Sequence, residues 1–404
     1  MKIAVAQLGA RRHYAVPRIF YEAGMLERLF TDSYAGSKPR LGPPFRALLS
    51  TWQPRGLRRW LTRVEPTLPE GIVISFDWLG LNYWWRQRHA AAKGTAAKTF
   101  AEFGARFANA VVRKGLGRAD VVWGFNGASL EIFRHAKAKG LRCILEQTMA
   151  PYPVYRRLML QERVRWPGWQ SKLGMLPEND PRAMRVAEEW QLADLIICGS
   201  QFVVDAMAEC GGPRDKCRIV PYGVDLDRFP LAPSRERKPG DRLRVLFAGE
   251  VGLRKGAPYL LESLRLFGRE TIQAKFAGRI VLAHEKLAPY RDVVTFLGTV
   301  PRSQMAALFG WADLLVLPST CEGSATVTYE AIASGLPVIC TPNTGALKSP
   351  AVLTVPQGNL PALSAAIAHH LESASVPPIT NEIRHQYALK AYAQRLLQVV
   401  RELE

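Results

Sequence analysis

One stretch of the sequence reads Leu314-Leu-Val-Leu-Pro-Ser-Thr-Cys-Glu322-Gly-Ser-Ala-Thr-Val-Thr-Tyr-Glu330-Ala-Ile-Ala-Ser-Gly335-Leu-Pro337. Its first four residues form a short apolar run, which is typical of a strand buried on both faces of a parallel sheet. We expect a turn around Glu322 to open a helix at about Ala325. Gly335 closes that helix, because glycine is favoured just past a helix C-terminus. Strand, turn and helix in this order form the repeating unit of a doubly wound α/β domain.

Further apolar runs lie on both sides of this stretch. In the first half they are residues 2–6, 121–123, 143–145, 195–198 and 218–220, and in the second half 244–248, 275–277, 293–297, 314–317, 337–340 and 352–355. The Pro-rich, charged residues 230–242 separate the two series and are typical of an exposed linker. The sequence therefore predicts two doubly wound, Rossmann-like domains, 1–229 and 243–380. Residues 381–404 are predicted to form an amphipathic helix that docks on one of the domains, with the N-terminal domain as the candidate.

The composition is that of a globular protein. Of 404 residues 48% are apolar and 22% charged, which excludes disordered and fibrous classes. We expect a cytoplasmic protein, because no apolar run reaches the roughly 18 residues of a membrane-spanning helix and the N-terminal run is too short for a signal peptide. The six cysteines are scattered, which favours reduced thiols over a zinc site.

Positive charge is concentrated in the first half of the chain. Residues 1–200 contain 31 Lys and Arg against 16 Asp and Glu, and nine of the ten tryptophans. This combination suits an anionic membrane surface, with nucleic acid or a merely solubilising charge as the alternatives. The aromatic group Trp78, Tyr83, Trp84 and Trp85 could stack on a sugar or lie in an interface, and we expect buried packing for at least half of it. Two irregular insertions are predicted, over residues 36–70 and 151–182.

A second stretch with chemical potential is Gly249-Glu-Val-Gly-Leu-Arg254-Lys255-Gly256, which directly follows the strand 244–248. A strand, a glycine-bearing turn and a helix start present backbone N–H groups and a positive helix end to phosphate. Arg254 and Lys255 would add a planar fork and a point charge for a diphosphate. A basic loop without a ligand is the alternative reading.

Two carboxylates lie in the first stretch. Glu322 follows a strand at its carboxyl end, where open α/β sheets bind ligands, and the amides of Ser324, Ala325 and Thr326 are expected to be free beside it. Glu330 lies about one and a half turns into the helix and could accept two hydrogen bonds from a ribose diol. Taken singly, either glutamate could instead be a helix-end acid or a solvated surface residue.

The two glutamates with seven residues between them, followed by Ala-Ile-Ala-Ser-Gly-Leu-Pro-Val-Ile, resemble the signature of retaining glycosyltransferases of family 4, which have the GT-B fold. Supporting stretches occur in the family's order. They are residues 193–200, 219–225 with Phe229, 254–256 and 294–300. The resemblance is close over residues 193–345 and covers the first 190 residues in outline.

The resemblance implies roles for the donor side. Glu322 would contact hydroxyls of the donor sugar near the reacting carbon, and Glu330 would hold the nucleotide ribose. Arg254 and Lys255 would bind the diphosphate and stabilise the charge that develops on it. Main chain near Val300 would meet the base.

Glycines and the remaining loop residues complete this predicted donor site. Gly249 and Gly323, with Ser324, Ala325 and Thr326, would line it, and Gly9 would let the first-domain loop approach the phosphates. The acceptor would attack from the face that the phosphate leaves, with the phosphate taking its proton. The resemblance therefore implies no separate base, no cofactor and no metal.

The chain departs from the family pattern at several positions. Glu250 replaces a common arginine, for which Arg254 could substitute, the paired glycines of the first loop are reduced to Gly9, and Ser324 replaces an aromatic residue. Glu146 and Gln147 replace a common His-Asp pair and are candidates on the acceptor side. His13, which follows the first strand with Arg11 and Arg12, could also face the cleft, with a surface residue as the alternative.

The resulting prediction is a metal-independent retaining glycosyltransferase of the hexosyltransferase type. Its acceptor would be a lipid-linked or polysaccharide glycan, reached at the inner membrane face. A catalytically silent sugar-nucleotide-binding partner is the main alternative, and a nucleic-acid-binding protein the less favoured one.

Overall fold

The computed structural model describes residues 1–36, 60–61, 63–92, 96–170, 177–231, 238, 240–372 and 379–404. Most of the predicted insertion at 36–70, including Trp52, Arg58 and Arg59, lies outside the described residues. So do residues 232–237 and 239 of the predicted linker.

The first half of the chain forms a parallel sheet of seven strands in the order β3-β2-β1-β4-β5-β6-β7. The strands are β1 Ile3–Gln7, β2 Leu26–Thr31, β3 Val73–Ser75, β4 Val121–Phe125, β5 Arg142–Gln147, β6 Leu195–Cys198 and β7 Cys217–Ile219. Every residue of β1 and of β4 is buried, as expected for central strands covered on both faces. Two of these strands were not predicted: β2 contains the charged pair Glu27-Arg28, and β3 has three residues only.

The second half forms a parallel sheet of six strands in the order β10-β9-β8-β11-β12-β13. These strands are β8 Leu243–Ala248, β9 Ile272–Ala277, β10 Val294–Gly298, β11 Leu314–Leu317, β12 Val338–Cys340 and β13 Val352–Thr354. The chain starts in the middle of the sheet, runs outward to one edge and returns to build the other. This is the doubly wound topology, so the prediction of two Rossmann-like domains is confirmed.

Helices cover both sheets. In the first domain they are α1 Ala15–Glu22, α2 Asp77–Ala92, α3 Ala96–Lys114, α4 Leu130–Ala138, α5 Tyr152–Arg165, α6 Pro181–Leu192 and α7 Gln201–Glu209. In the second half they are α8 Ala257–Phe267, α9 His284–Leu287, α10 Met305–Trp311, α11 Thr326–Ala333, α12 Leu360–Glu372, α13 Asn381–Gln386 and α14 Leu389–Arg401. In the described part of the chain, no helix combines the length and the apolar composition needed to cross a bilayer.

A buried carboxylate holds the start of α4 in the first domain. Glu189 of α6 accepts hydrogen bonds from the amides of Gly127 (2.6 Å), Ser129 (2.8 Å) and Leu130 (3.1 Å). These amides lie at a helix N-terminus, where they have no partner within the helix. Burial raises the pKa of Glu189 to about 7, against the three amide hydrogen bonds that lower it.

The prediction of an irregular insertion over 151–182 is wrong for its first half, because residues 152–165 form the regular helix α5. The C-terminal end of α5 contacts the second domain. The Tyr259 hydroxyl donates a hydrogen bond to Glu162 (2.8 Å), and the Tyr259 hydroxyl oxygen accepts one from Arg165 (3.0 Å). Beyond the helix, the Gln170 side chain accepts from the Leu253 amide (3.0 Å), so this segment links the two domains.

The C-terminal residues form two helices in place of the single predicted one. The chain breaks between α13 and α14 at Ala388, which forms a parallel bridge with Val224. Arg384 of α13 donates to the Ala333 carbonyl (2.6 Å), whereas Arg395 of α14 donates to the Pro221 carbonyl (3.1 Å). The C-terminal segment therefore contacts both halves of the molecule.

Candidate functional site

Two loops meet at the carboxyl edge of the second sheet. One follows β8 and includes the short 3-10 turn Leu253–Lys255, and the other follows β11 and includes Glu322. The strands β8 and β11 are neighbours at the point where the strand order reverses, which is where open α/β sheets form their binding crevice. A glycine is needed between the loops, because a Cβ on Gly256 would lie 1.9 Å from the Pro318 carbonyl oxygen.

Two cations share the Glu322 carboxylate. The Lys255 Nζ atom lies 2.9 Å from Glu322 Oε1, and the Arg254 guanidinium forms an ion pair with the same oxygen. The Lys255 side chain is only 10% exposed, and its burial lowers the pKa of the ammonium group, an effect that Glu322 opposes. The cluster carries a net charge of one positive unit with little access to water, so a second anion at this place would be attracted strongly.

A cavity of about 450 Å³ opens beside this cluster. The site residues predicted from sequence that line it are Gly249, Lys255, Val300, Glu322, Ser324, Ala325, Thr326 and Glu330. Arg302 and Met305 are further lining residues. The cavity has the size of a small-ligand pocket. Two ion pairs line it, Lys255 with Glu322 and Arg302 with Glu330.

Glu330 lies on α11 with 8% of its surface exposed. The Arg302 guanidinium donates to its Oε1 atom over 3.2 Å. Burial raises the pKa of Glu330, and Arg302 lowers it. Arg302 was not predicted from sequence; the only available signal was a basic residue two positions after Val300.

The turn before α11 differs from the prediction at one of the three amides that were expected to be free. The Ala325 amide donates to the Thr344 carbonyl (3.0 Å), so it is not free for a ligand. The Ser324 hydroxyl lies against the hydroxyl of Tyr329 and also donates to the Gly345 carbonyl (3.2 Å). Ser324 thus stabilises the turn through its side chain while it lines the cavity.

Gly323 permits a close contact between the domains. A Cβ at this position would lie 1.9 Å from the carbonyl oxygen of Thr148, which follows β5 of the first domain. The Ser200 hydroxyl, also from the first domain, donates to the Gly323 carbonyl. The loop that carries Glu322 is therefore fixed from the opposite side of the cleft.

The loop after β1 has an unusual backbone. Gly9 has φ +89°, and its amide donates to the Asp32 carboxylate (2.7 Å). Three consecutive residues other than glycine, Arg12, His13 and Tyr14, adopt left-handed conformations. Gly9 itself is not among the residues that line the cavity.

Two of the acceptor-side candidates are engaged inside the first domain. Glu146 is fully buried and forms an ion pair with Arg12. The Gln147 side chain accepts a hydrogen bond from the Trp190 indole (3.0 Å) and donates to the Met149 carbonyl (2.8 Å). Both residues stabilise the end of β5.

His13, the third candidate, lies at the surface of the cleft. Its Nε2 atom contacts the Arg302 guanidinium of the second domain. Burial lowers the pKa of His13, and the nearby guanidinium groups of Arg302 and Arg228 lower it further.

Glu250 pairs with Arg279 at the rim of the second domain. Arg254 points to Glu322 instead, so the cation next to the cluster comes from the 3-10 turn. Among the described residues, no group of three or more His, Cys, Asp or Glu side chains could hold a metal ion.

The aromatic group on α2 is more exposed than predicted. Trp78, Trp84 and Trp85 are 84%, 42% and 58% exposed, and Leu81 beside them is 53% exposed. Tyr83 packs against Phe103 with 5.1 Å between the ring centroids. The expectation that at least half of the group is buried is therefore wrong for the three tryptophans.

Comparison with known proteins gives matches for both sequence and fold. Residues 242–373 match the family described as glycosyl transferases group 1. A D-inositol 3-phosphate glycosyltransferase of Pseudarthrobacter chlorophenolicus is 32% identical over 184 residues, which are 41% of this chain and 44% of the relative. The putative colanic acid biosynthesis glycosyltransferase WcaL of Escherichia coli is 26% identical over 165 residues, 38% of this chain and 40% of that protein. The chain thus spans less than half the length of these curated relatives.

Solved structures match over the whole chain. Sucrose-phosphate synthase from Thermosynechococcus elongatus aligns with a TM-score of 0.65 at 16% identity, over 100% of this chain and 99% of that one. HepE of Anabaena in complex with UDP and glucose aligns with a TM-score of 0.62 at 15% identity, over 99% of both chains. The fold is GT-B, as predicted, and the resemblance to glycosyltransferases is confirmed; assignment to family 4 stays a prediction.

Proposed function

We propose that this protein is a retaining glycosyltransferase that takes a nucleotide-diphosphate-sugar as its donor. One observation carries the proposal: Lys255 and Arg254 share the Glu322 carboxylate, and Lys255, Glu322 and Glu330 line one cavity. Cations suit a diphosphate, and a carboxylate suits the two hydroxyls of a ribose. The match of residues 242–373 to glycosyl transferases group 1 supports the same reading.

The cations act on the leaving group. As the bond between the anomeric carbon and the diphosphate oxygen breaks, negative charge grows on the diphosphate. Lys255 and Arg254 are already in place, so they stabilise this charge without a reorganisation of solvent. Glu322 holds both cations and contacts hydroxyls of the donor sugar. The acceptor oxygen attacks from the same face, and its proton passes to the departing phosphate oxygen.

The donor is a nucleotide-diphosphate-sugar, and a binding screen identifies its base and its sugar. Solved GT-B neighbours in complex with UDP and with UDP-glucose support this class of donor. No metal ion is needed on this mechanism, because the two cations supply the positive charge.

The acceptor that we propose is a lipid-linked or polysaccharide glycan of the cell surface. Relatives described as colanic acid and teichuronic acid biosynthesis glycosyltransferases support this class. The exposed Trp78, Leu81 and Trp85 on α2, together with the excess of Lys and Arg in residues 1–200, suit an anionic bilayer at the inner membrane face.

A thermal-shift screen over UDP-, GDP- and ADP-sugars tests the donor assignment, since a ligand that binds only the folded state raises the melting temperature. We expect one nucleotide class to stabilise the protein at sub-millimolar concentration. Slow release of nucleoside diphosphate from that donor distinguishes an enzyme from a silent sugar-nucleotide-binding partner. If no sugar nucleotide raises the melting temperature, the proposed function is wrong.

A further inference from the structure

A three-residue chain crosses the cleft between the domains. His13 of the first domain contacts the Arg302 guanidinium, and the other end of that guanidinium donates to Glu330 Oε1 (3.2 Å). Arg302 and Glu330 both line the cavity proposed for the donor. His13 of the first domain is thereby connected, through Arg302, to the carboxylate that would hold the ribose.

We infer that Arg302 is a positioning residue, which holds the Glu330 carboxylate in place for the ribose hydroxyls and is itself held by His13 from the other domain. This inference rests on the proposed function and adds two residues to its donor site. No role in binding or catalysis follows for Arg302 from the family resemblance, and His13 was expected on the acceptor side.

The arrangement leaves room for the ligand. Arg302 engages only Oε1 of Glu330, and a carboxylate has about four acceptor positions on its two oxygens. Two ribose hydroxyls can therefore donate to Glu330 while the guanidinium remains bound. A guanidinium is suited to this because its fork of five N–H donors can contact two partners at once.

The contact with His13 has a defined polarity. A guanidinium has no acceptor, so it must donate, and the His13 Nε2 atom must carry a lone pair rather than a proton. The groups that face His13 are the cations Arg302 and Arg228 and the carboxylate Glu65. Protonation of the imidazole would set a second cation against Arg302 and break the link.

The backbone at His13 supports a dedicated placement. His13 has φ +51° between two other left-handed residues, a conformation that costs about 1–2 kcal/mol for a residue with a Cβ. Arg12 is anchored by Glu146, and Tyr14 by a hydrogen bond to the Ser33 carbonyl (3.2 Å). These anchors hold the strained turn and so direct His13 toward the second domain.

Arg302 also matters for the charge on Glu330. Burial raises the pKa of Glu330, and Arg302, the charged group that faces it, lowers the pKa. Lys255 and Glu322 line the same cavity. Without Arg302 the pKa rises further, so the carboxylate takes up a proton at a higher pH and loses acceptor capacity.

The test is the affinity for UDP, GDP and ADP by isothermal titration calorimetry between pH 5 and pH 8. It compares wild type, Arg302→Met, Arg302→Lys and His13→Ala, with Arg269→Met as control because Arg269 pairs with Glu270 on the surface. We expect Arg302→Met to lower the affinity for the nucleotide about tenfold at pH 7, which is the scale of one hydrogen bond to a charged group. As the pH is lowered, the affinity of Arg302→Met should begin to fall at a higher pH than the affinity of wild type does.

The other variants give distinct outcomes. Arg302→Lys should restore the wild-type pH dependence but not the full affinity, because lysine keeps the charge and loses the fork. His13→Ala should weaken binding about threefold, less than the loss of one charged hydrogen bond. If wild type binds a nucleotide and Arg302→Met binds it with the same affinity and the same pH dependence, this inference is wrong. The proposed function would not be affected by that result. Failure of wild type to bind any of the three nucleotides would overturn the proposed function as well.

Discussion

Lys255 Nζ lies 2.9 Å from Glu322 Oε1, and the two residues come from loops 67 positions apart at the reversal point of the second sheet. Both side chains are nearly inaccessible to water, at 10% and 13% exposure. Burial of an ion pair costs desolvation free energy, which can exceed the attraction between the two charges. A contribution to stability therefore does not by itself explain the pair. We propose that this pair holds a cation ready for an anionic ligand.

Lys255→Met should lower turnover with the true donor by about 10²–10³-fold, the usual loss for one preorganised donor at a developing charge. The pKa of Lys255 is lowered by burial from its ordinary value of 10.5. Only the protonated form carries the charge, so wild-type turnover should fall as the pH rises through this lowered pKa.

Lys255→Arg is the matched variant for that pH dependence. A guanidinium keeps its charge at all accessible pH values, so the alkaline fall in turnover should disappear even where the rate is lower. An alkaline fall that persists unchanged in Lys255→Arg would assign it to another group.

Glu322→Gln should lower turnover by about 10²-fold and leave the melting temperature within a few degrees of wild type. The amide still hydrogen-bonds, but it no longer balances Arg254 and Lys255 or accepts from the sugar as an anion. Glu250→Gln is the control, since Glu250 pairs with Arg279 at the rim. Near wild-type rates in Glu322→Gln would remove this residue from the proposed mechanism.

Glu189→Gln should destabilise the first domain by about 1–3 kcal/mol at pH 4.5. Both side-chain oxygens of Glu189 accept amide hydrogen bonds, and the substitution turns one of them into an NH₂ group that can only donate. The pKa of Glu189 is about 7 in the folded protein, above the ordinary 4.5. The folded state thus binds this proton more tightly than the unfolded chain does. This difference in pKa adds to the free energy of unfolding. The contribution is fully present below pH 4.5 and is lost as the pH rises through about 7.

Urea denaturation followed by tryptophan fluorescence measures this effect. The difference in unfolding free energy between wild type and Glu189→Gln should shrink from pH 4.5 to pH 7, since the variant has no such titration. A difference that grows with pH would show that the amide hydrogen bonds lower the pKa of Glu189 by more than burial raises it.

Replacement of Trp78 and Trp85 by alanine should reduce co-sedimentation with anionic vesicles at low salt. Both side chains are exposed on α2 and would enter the bilayer interface. The matched control is Trp123→Phe, at a fully buried position. Equal partition of wild type into neutral and anionic vesicles would contradict the membrane proposal.

The sequence predicted those parts of the fold in which local pattern and tertiary structure agree. The runs at 195–198 and 314–317 match β6 and β11 residue for residue, because strands buried on both faces consist of apolar residues only. The start of α11 at Thr326 was also predicted to within one residue. Gly335 follows soon after its last residue, Ala333, as expected for a glycine just past a helix C-terminus. β2 was missed because charged residues interrupt its apolar pattern.

The site was predicted less completely. Lys255, Glu322 and Glu330 lie in recognisable local motifs, so the sequence could indicate them. Arg302 depends on a contact with His13, 289 residues away, which no local pattern encodes. The internal roles of Glu146 and Gln147 likewise depend on partners in other elements, Arg12 and Trp190.

A crystal structure of the protein with the nucleoside diphosphate of its donor tests the central claim most directly. The account predicts diphosphate oxygens within hydrogen-bonding distance of Lys255 and Arg254, and both ribose hydroxyls on Glu330. A nucleotide bound outside this cavity, or one whose ribose points away from Glu330, would contradict it.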